Sequence, residues 1–358
     1  MNSSHKPAGR ELRAGRRPRG RPAARVALVA ACCAATAAVA ACSSSASSSS
    51  SSSAGSATTT QQSSTSPVTI AYTAPVADQL LPLITDKAGL FAKYGVPVTV
   101  TYLPQTAALD GLVGGKIQMS VFDSPAPEVA VADGEQIKWI AEWENHADLF
   151  LLGRPGIASV SDLAGKPVAE TVAGSTTAVL TQVSLKTAGV LTSAHLEPLG
   201  NVGATLSAFQ SGSVQATIAG PPNQTTLLKA VPGAKILVDY SNSIPWVGGG
   251  LAASMSWASA HKTETVNILR ALSAGEQYFK SNQAAAVADI QSATKSSAAS
   301  AQGAYAAMLR VIDETPSLMP SAAIESQALS AIASSSPGAA SLTGSSVIDT
   351  EFAQAADK

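Results

Sequence analysis

Cysteine and histidine are the side chains from which catalytic or metal chemistry is most readily built, and their placement argues against both. The three cysteines, Cys32, Cys33 and Cys42, all precede residue 43 of a 358-residue chain. The rest of the chain therefore offers no thiolate nucleophile, no thiolate metal site and no disulfide. His146, His195 and His261 are isolated from one another. No H-E-x-x-H, G-x-S-x-G or G-x-x-x-x-G-K-[ST] run occurs, so neither a metal nor a cofactor is expected. Glu142-Trp143-Glu144-Asn145-His146 sets carboxylates beside an imidazole and could assemble a site, but so polar a run reads first as a solvated loop.

Binding chemistry is better represented. Gly174-Ser175-Thr176-Thr177 precedes a helical run; a glycine and hydroxyls at a helix start present free N–H groups and a positive dipole end, which suits an oxyanion. Ser175 or Thr176 can equally serve as an N-cap. Such groups need a scaffold, and the chain supplies one. Val68-Thr69-Ile70-Ala71-Tyr72 alternates as a strand, and helical spacing follows over 78–93, ending at Gly95. Strands expected over 96–102, 119–122, 167–170, 214–218 and 235–240 alternate with helices over 107–114, 125–133, 178–188, 204–210 and 225–230. Ser159-Val160-Ser161-Asp162 reads as a capping box.

This alternation implies βαβ units and mostly parallel sheets, an α/β architecture of two lobes with a cleft between them. The expected boundaries are 67–154 for the first part of lobe I and 155–243 for lobe II, with 244–358 returning to lobe I. Alanine-rich helices are expected over 266–279, 284–293 and 301–312, a closing helix over 347–356, and hinges at 153–156 and 240–243. Ligand contacts in open sheets come from loops at the carboxyl ends of strands. Those loops hold Tyr72 and Thr73, Gln105 and Thr106, Asp123 and Ser124, Ser175 to Thr177, and Pro221 and Asn223. Tyr72 is as consistent with half-buried packing as with a ligand wall, and Asp123 with a helix cap as with a ligand acceptor. Trp246, beside Gly248-Gly249-Gly250, a run that reads as mobile, is an aromatic wall or part of the crossover between lobes.

Residues 1–25 carry eight basic residues and one acid, and an uncharged apolar stretch follows over 26–41. That stretch is shorter than a membrane-spanning helix requires and reads as an export signal over 1–41. Val39-Ala40-Ala41-Cys42 resembles the bacterial lipobox, which implies a diacylated Cys42 and anchorage on the outer face of the cytoplasmic membrane. Positions 42–66 are almost wholly Ser, Thr, Ala, Gly and Gln, too polar to build a core, and read as a flexible tether. Without positions 1–25 the chain keeps 15 basic and 23 acidic residues, a net charge of about −8. Nucleic acid is therefore not an expected partner.

A family resemblance rests on several segments in order. Ile84-Thr85-Asp86-Lys87-Ala88-Gly89-Leu90-Phe91-Ala92-Lys93-Tyr94-Gly95-Val96 resembles the first helix and turn of the nitrate, sulfonate, taurine and pyrimidine-precursor binding proteins of ABC importers. Leu112-Val113-Gly114-Gly115-Lys116-Ile117-Gln118-Met119 and Ser161-Asp162-Leu163-Ala164-Gly165-Lys166-Pro167-Val168-Ala169, with Gly174-Ser175-Thr176 after them, continue the likeness. Phe209-Gln210-Ser211-Gly212-Ser213-Val214-Gln215-Ala216 stands where the family has L-x-x-G-x-V-D-A. Gln118 and Gln215 replace the family's acids, and Ala219-Gly220-Pro221-Pro222-Asn223 stands in the neighbourhood of an expected tryptophan.

The resemblance implies a type II periplasmic-binding-protein fold and a monomeric receptor that performs no chemistry. Such a receptor closes on a small solute, a sulfonate, nitrate, carboxylate or pyrimidine-like molecule, and hands it to an ABC permease. The candidate loops contain no arginine to clamp an anion, which leaves an uncharged or aromatic ligand open. Two rival readings are an enzyme of the same fold acting on a pyrimidine or a sulfinate, and a sensory or adhesive surface protein.

Overall fold

A computed structural model describes residues 66–314, 318–333 and 335–358. The expected signal, Cys42 and the serine-rich tether up to residue 65 lie outside them. Ten strands are present among the described residues: β1 Val68–Tyr72, β2 Val98–Tyr102, β3 Met119–Phe122, β4 Ile137–His146, β5 Phe150–Gly153, β6 Pro167–Glu170, β7 His195–Pro198, β8 Ala216–Ala219, β9 Lys235–Asp239 and β10 Pro245–Ser254. They form two five-stranded sheets of matching topology, β2-β1-β3-β10-β4 and β7-β6-β8-β5-β9. In each sheet the fourth strand alone runs against the others: β10 is antiparallel to β3 and β4, and β5 to β8 and β9. These two strands are the ones the chain enters directly after changing sheets.

The chain leaves the first sheet at 147–149 and returns at 240–244. The first crossing precedes both the hinge expected at 153–156 and the boundary expected at 154, because β5 already pairs with β8 and β9. A four-residue apolar run carries no mark of which sheet it joins. The helix expected over 78–93 is instead a short 3-10 turn and two helices, Leu81–Lys87 and Leu90–Lys93, separated at Gly89, whose φ of 70° is left-handed. The closing helix is likewise interrupted: Gly344–Val347 and Glu351–Ala356 flank Ile348, which bridges to Trp139.

Two readings of β4 and β10 need correction. The run Glu142 to His146 is not a solvated loop but the end of β4, with Glu142 and Glu144 buried. Gly248 to Gly250 is not a mobile segment but the buried middle of β10. A Cβ on Gly248 would meet the His146 carbonyl oxygen at 2.4 Å, and one on Gly250 the Ala141 carbonyl oxygen at 2.8 Å. Glycine is thus required there so that β10 can lie close against β4, not to supply flexibility.

The Lys262–Ser281 helix packs its apolar face against the Leu81–Lys87 helix and builds one core with Ile70, Leu81, Ile84 and Phe279. A second buried cluster runs through both sheets: it contains Phe122, Trp139 and Trp246 of the first, Leu151 and Val168 of the second, and Tyr240 at the return crossing. The two sheets are therefore packed together around the crossings, and an open space remains where their strand-end loops face each other.

Candidate functional site

That space is a cavity of about 70 Å³, large enough for several waters or a compact organic molecule. Its walls are strand ends, the loops and helix starts that follow them, and a crossing segment. Asp78 follows β1, Asp123 follows β3, Glu144 ends β4, and Asp148 lies in the crossing to β5. Thr171, Thr176 and Thr177 follow β6, and Asn223 follows β8. This is where an open α/β sheet exposes backbone polar groups not used in the ladder.

Gln79 ties the first wall together. Its buried Oε1 accepts from the Thr73 and Ala74 N–H groups at 2.7 and 2.8 Å and from the Thr73 hydroxyl at 3.0 Å. With its oxygen so occupied, its Nε2 is turned to donate to Asp123 Oδ1 at 2.9 Å. The other oxygen of Asp123 faces the Thr176 hydroxyl at 3.5 Å, and that hydroxyl also donates to the Ser124 carbonyl. One carboxylate thereby touches loops from both sheets.

On the second wall, Ser175 caps the Thr176–Thr187 helix by accepting from the Ala178 N–H. Its hydroxyl also meets those of Thr171 and Thr177 at 2.8 and 3.1 Å. Tyr240, buried at the return crossing, donates to the Leu180 carbonyl and meets the Ser184 hydroxyl at 2.7 Å, so the same helix is anchored to the crossing.

The cavity is acidic. Burial pushes Asp123 up to about 7, against the opposing hydrogen bonds from Gln79 and Thr176. Burial and then the neighbouring Asp123 raise Asp78 well above the ordinary carboxylate range, and burial and then Asp78 do the same to Glu144. Glu144 is 2 % exposed and accepts the Asp148 N–H through Oε1 at 3.0 Å. Among the described residues, no lysine, arginine or histidine lines the cavity. Among the described residues no group of three or more His, Cys, Asp or Glu is arranged to hold a metal ion, and no helix is long and apolar enough to cross a membrane.

Of the residues singled out in the sequence, Asp123, Thr176, Thr177 and Asn223 line the cavity, and Pro221 lines an adjoining recess that shares Asp78, Glu144 and Asp148. Ser124 and Ser175 stand just behind, buried and engaged in hydrogen bonds. Thr73 is held by Gln79. Tyr72 packs on Tyr102 with ring centroids 5.6 Å apart. Gln105 and Thr106 open the Gln105–Val113 helix away from the cavity, and Trp246 is wholly buried in the cluster shared by the two sheets. Asp78, Gln79, Asp148 and Thr171 were not anticipated, and Glu144 was weighed only within a run read first as a loop. The signal for Asp78 and Gln79 was their position just past β1, where the helical reading absorbed them; Glu144 was hidden by the loop reading of β4.

The family model described as NMT1/THI5 like matches residues 80–286, more than half of the chain. No curated protein sequence matches. Among solved structures, the periplasmic aliphatic sulphonate binding protein of Escherichia coli is 20% identical over 74% of this chain and 85% of its own, with a TM-score of 0.60. A protein of Bordetella bronchiseptica RB50 is 20% identical over 81% of this chain and 96% of its own, at 0.66. The periplasmic nitrate-binding protein of Synechocystis PCC 6803 is 15% identical over 65% of this chain and 68% of its own, at 0.54. These likenesses carry the two-sheet periplasmic-binding-protein architecture.

Proposed function

Because the chain belongs to the NMT1/THI5-like family, we propose that it is an extracytoplasmic solute receptor that traps a small molecule in the cavity between its sheets and delivers it to an ABC permease. The observation that carries this reading is the composition of the cavity wall: loops from both sheets and a crossing segment contribute to it. Any solute held by both walls favours the closed arrangement over an open one, and a permease can read that difference. The relatives named for binding aliphatic sulphonates and nitrate support the transport class. The protein acts as a monomer and catalyses no reaction; Cys42, acylated after export, holds it at the outer face of the cytoplasmic membrane.

The test is a thermal-shift screen of the purified full chain against sulfonates, nitrate, carboxylates, pyrimidines and amines. A solute present at 100 times its Kd raises stability by about 2.7 kcal/mol. Ala219→Trp, which fills the cavity beside Asn223, is expected to remove that shift while the fold is retained. A shift that survives Ala219→Trp places the site elsewhere, and turnover of any solute ends the receptor reading. Cys42→Ala is expected to release the protein from membranes of the producing cell.

A further inference from the structure

The solute's charge can be read from the cavity, on the premise that the cavity is the solute site. Four carboxylates, Asp78, Asp123, Glu144 and Asp148, line it, and among the described residues no basic side chain does. Arg310 approaches Asp148 at 3.6 Å from the Ala298–Glu314 helix, which leaves Asp78, Asp123 and Glu144 without a cation among the described residues. Glu144 is 98% buried by its 2 % exposure, and its Oε2 receives no hydrogen bond among the described residues, while Oε1 is taken by the Asp148 N–H. The Asp78 carboxylate receives none from any other described residue. Its backbone carbonyl, by contrast, is held by the Trp143 indole at 2.9 Å, which fixes the residue while the carboxylate is met only by its own backbone N–H.

The anion expected at the start of the Thr176–Thr187 helix is already present as part of the protein. Asp123 stands against that helix start through the Thr176 hydroxyl, and a carboxylate at a helix N-terminus uses up the site an oxyanion ligand would take. A sulfonate or nitrate would have to displace it and sit among the remaining acids. The rest of the lining mixes the apolar Leu149, Val202 and Ile218 with Thr171, Thr176, Thr177 and Asn223. Among the described residues no aromatic ring lines the cavity, so they supply no cage of the kind that selects quaternary ammonium groups. Carboxylate oxygens with open acceptor sites call instead for N–H donors, which give charge-assisted hydrogen bonds.

We propose that the solute is an organic cation carrying N–H donors, a primary or secondary ammonium or an amidinium on a small apolar body, with its charge held by Asp78, Asp123 and Glu144. Burial of these acids against one another disfavours the empty site, and a bound cation relieves that repulsion. Selection thus arises from the acids' own unpaired state.

Calorimetric titration of the full chain at pH 7 tests this with 3-methylbutylammonium and acetamidinium against tetramethylammonium, 3-methylbutyrate, ethanesulfonate and nitrate. The two N–H cations are expected to bind at least tenfold more tightly than every other probe, and Asp78→Asn and Glu144→Gln to weaken them at least tenfold. Asp78→Asn is also expected to raise the unfolding midpoint of the empty protein, a readout that needs no ligand. If ethanesulfonate or 3-methylbutyrate binds more tightly and Asp78→Asn strengthens it, the charge assignment fails while the receptor reading stands. If no probe binds and Asp78→Asn leaves the midpoint unchanged, both fail together.

Discussion

Asp78, Asp123, Glu144 and Asp148 surround a cavity, whereas Glu128, Glu142 and Glu325, all wholly buried, are sealed inside the first half of the molecule. The two groups are neighbours: Ser124, next to Asp123, donates its hydroxyl to Glu128. Apart from Asp148, which Arg310 approaches, neither group has a basic partner among the described residues, yet they resolve the cost of buried charge differently. In the sealed group, burial and then the charges of Glu128 and Glu142 push Glu325 well above the carboxylate range, so it stays protonated and carries the donor hydrogen of the group. Glu142 gains the Ser321 N–H at 2.9 Å besides. Glu128 Oε2, Glu142 Oε1 and both Glu325 oxygens are buried without a hydrogen-bond partner among the described residues, so retained protons are what must offset their burial. The cavity group has acceptors left over and space beside them, and its charge is met by what enters.

The largest expected effect separates the groups by pH. Burial raises Glu128 from 4.5 to about 7 and Glu142 to about 8. The native state therefore binds more protons than the unfolded chain between about pH 4.5 and 8, and stability falls as pH rises through that window. Asp123, also raised to about 7, adds in the same direction. Chemical denaturation is expected to show a loss on the order of 4 kcal/mol between pH 5 and 8.5, and Glu142→Gln to remove a large part of it. A saturating cation should restore the cavity's share at pH 8 and leave the sealed share untouched. A pH-independent stability would mean that the sealed acids are neutralised by something other than shared protons.

A smaller effect probes the donor itself. Glu325→Ala removes the shared proton and leaves a void, and is expected to cost about 3 kcal/mol in a urea titration at pH 6. Glu325→Gln keeps the volume and offers two N–H donors to Glu128 and Glu142. It is expected to stay within about 1 kcal/mol of the parent at pH 6 and to exceed it above pH 8. Equal losses in both variants would show that packing, not proton sharing, holds the cluster.

The same contrast explains what the sequence could disclose. Strand β1, the Ser159–Asp162 capping box and the helices between parallel strands were legible, because period-2 alternation, N-cap residues and C-terminal glycines act within a few residues. The loops after β3, β6 and β8 followed from the α/β rule and reach the cavity wall. Strands β4 and β10 were not legible. Glu142 and Glu144 are buried by tertiary contacts that local polarity contradicts, and Gly248 to Gly250 look flexible until β4 is seen pressed against them. An acid whose burial depends on a partner about 180 residues away, as Glu142 depends on Ser321 and Glu325, leaves no local trace. Trp246 was singled out for its aromatic type, but type alone does not distinguish a core ring from a cavity wall.

The finest test concerns the hydroxyl loop, where a cap and a ligand contact were both open. Ser175 has extended backbone angles, φ −78° and ψ 166°, and its oxygen accepts from the Ala178 N–H at 3.3 Å. It is 3 % exposed and does not line the cavity, unlike Thr176 and Thr177. Ser175→Ala should therefore cost about 1 kcal/mol of stability, the usual worth of an N-cap, and shift solute affinity by less than tenfold, about 1.4 kcal/mol. Should affinity fall further while stability holds, Ser175 contacts the solute directly. Hydroxyls would then share with the acids the work of holding it, and the contrast between an open acidic group and a sealed one would no longer account for binding.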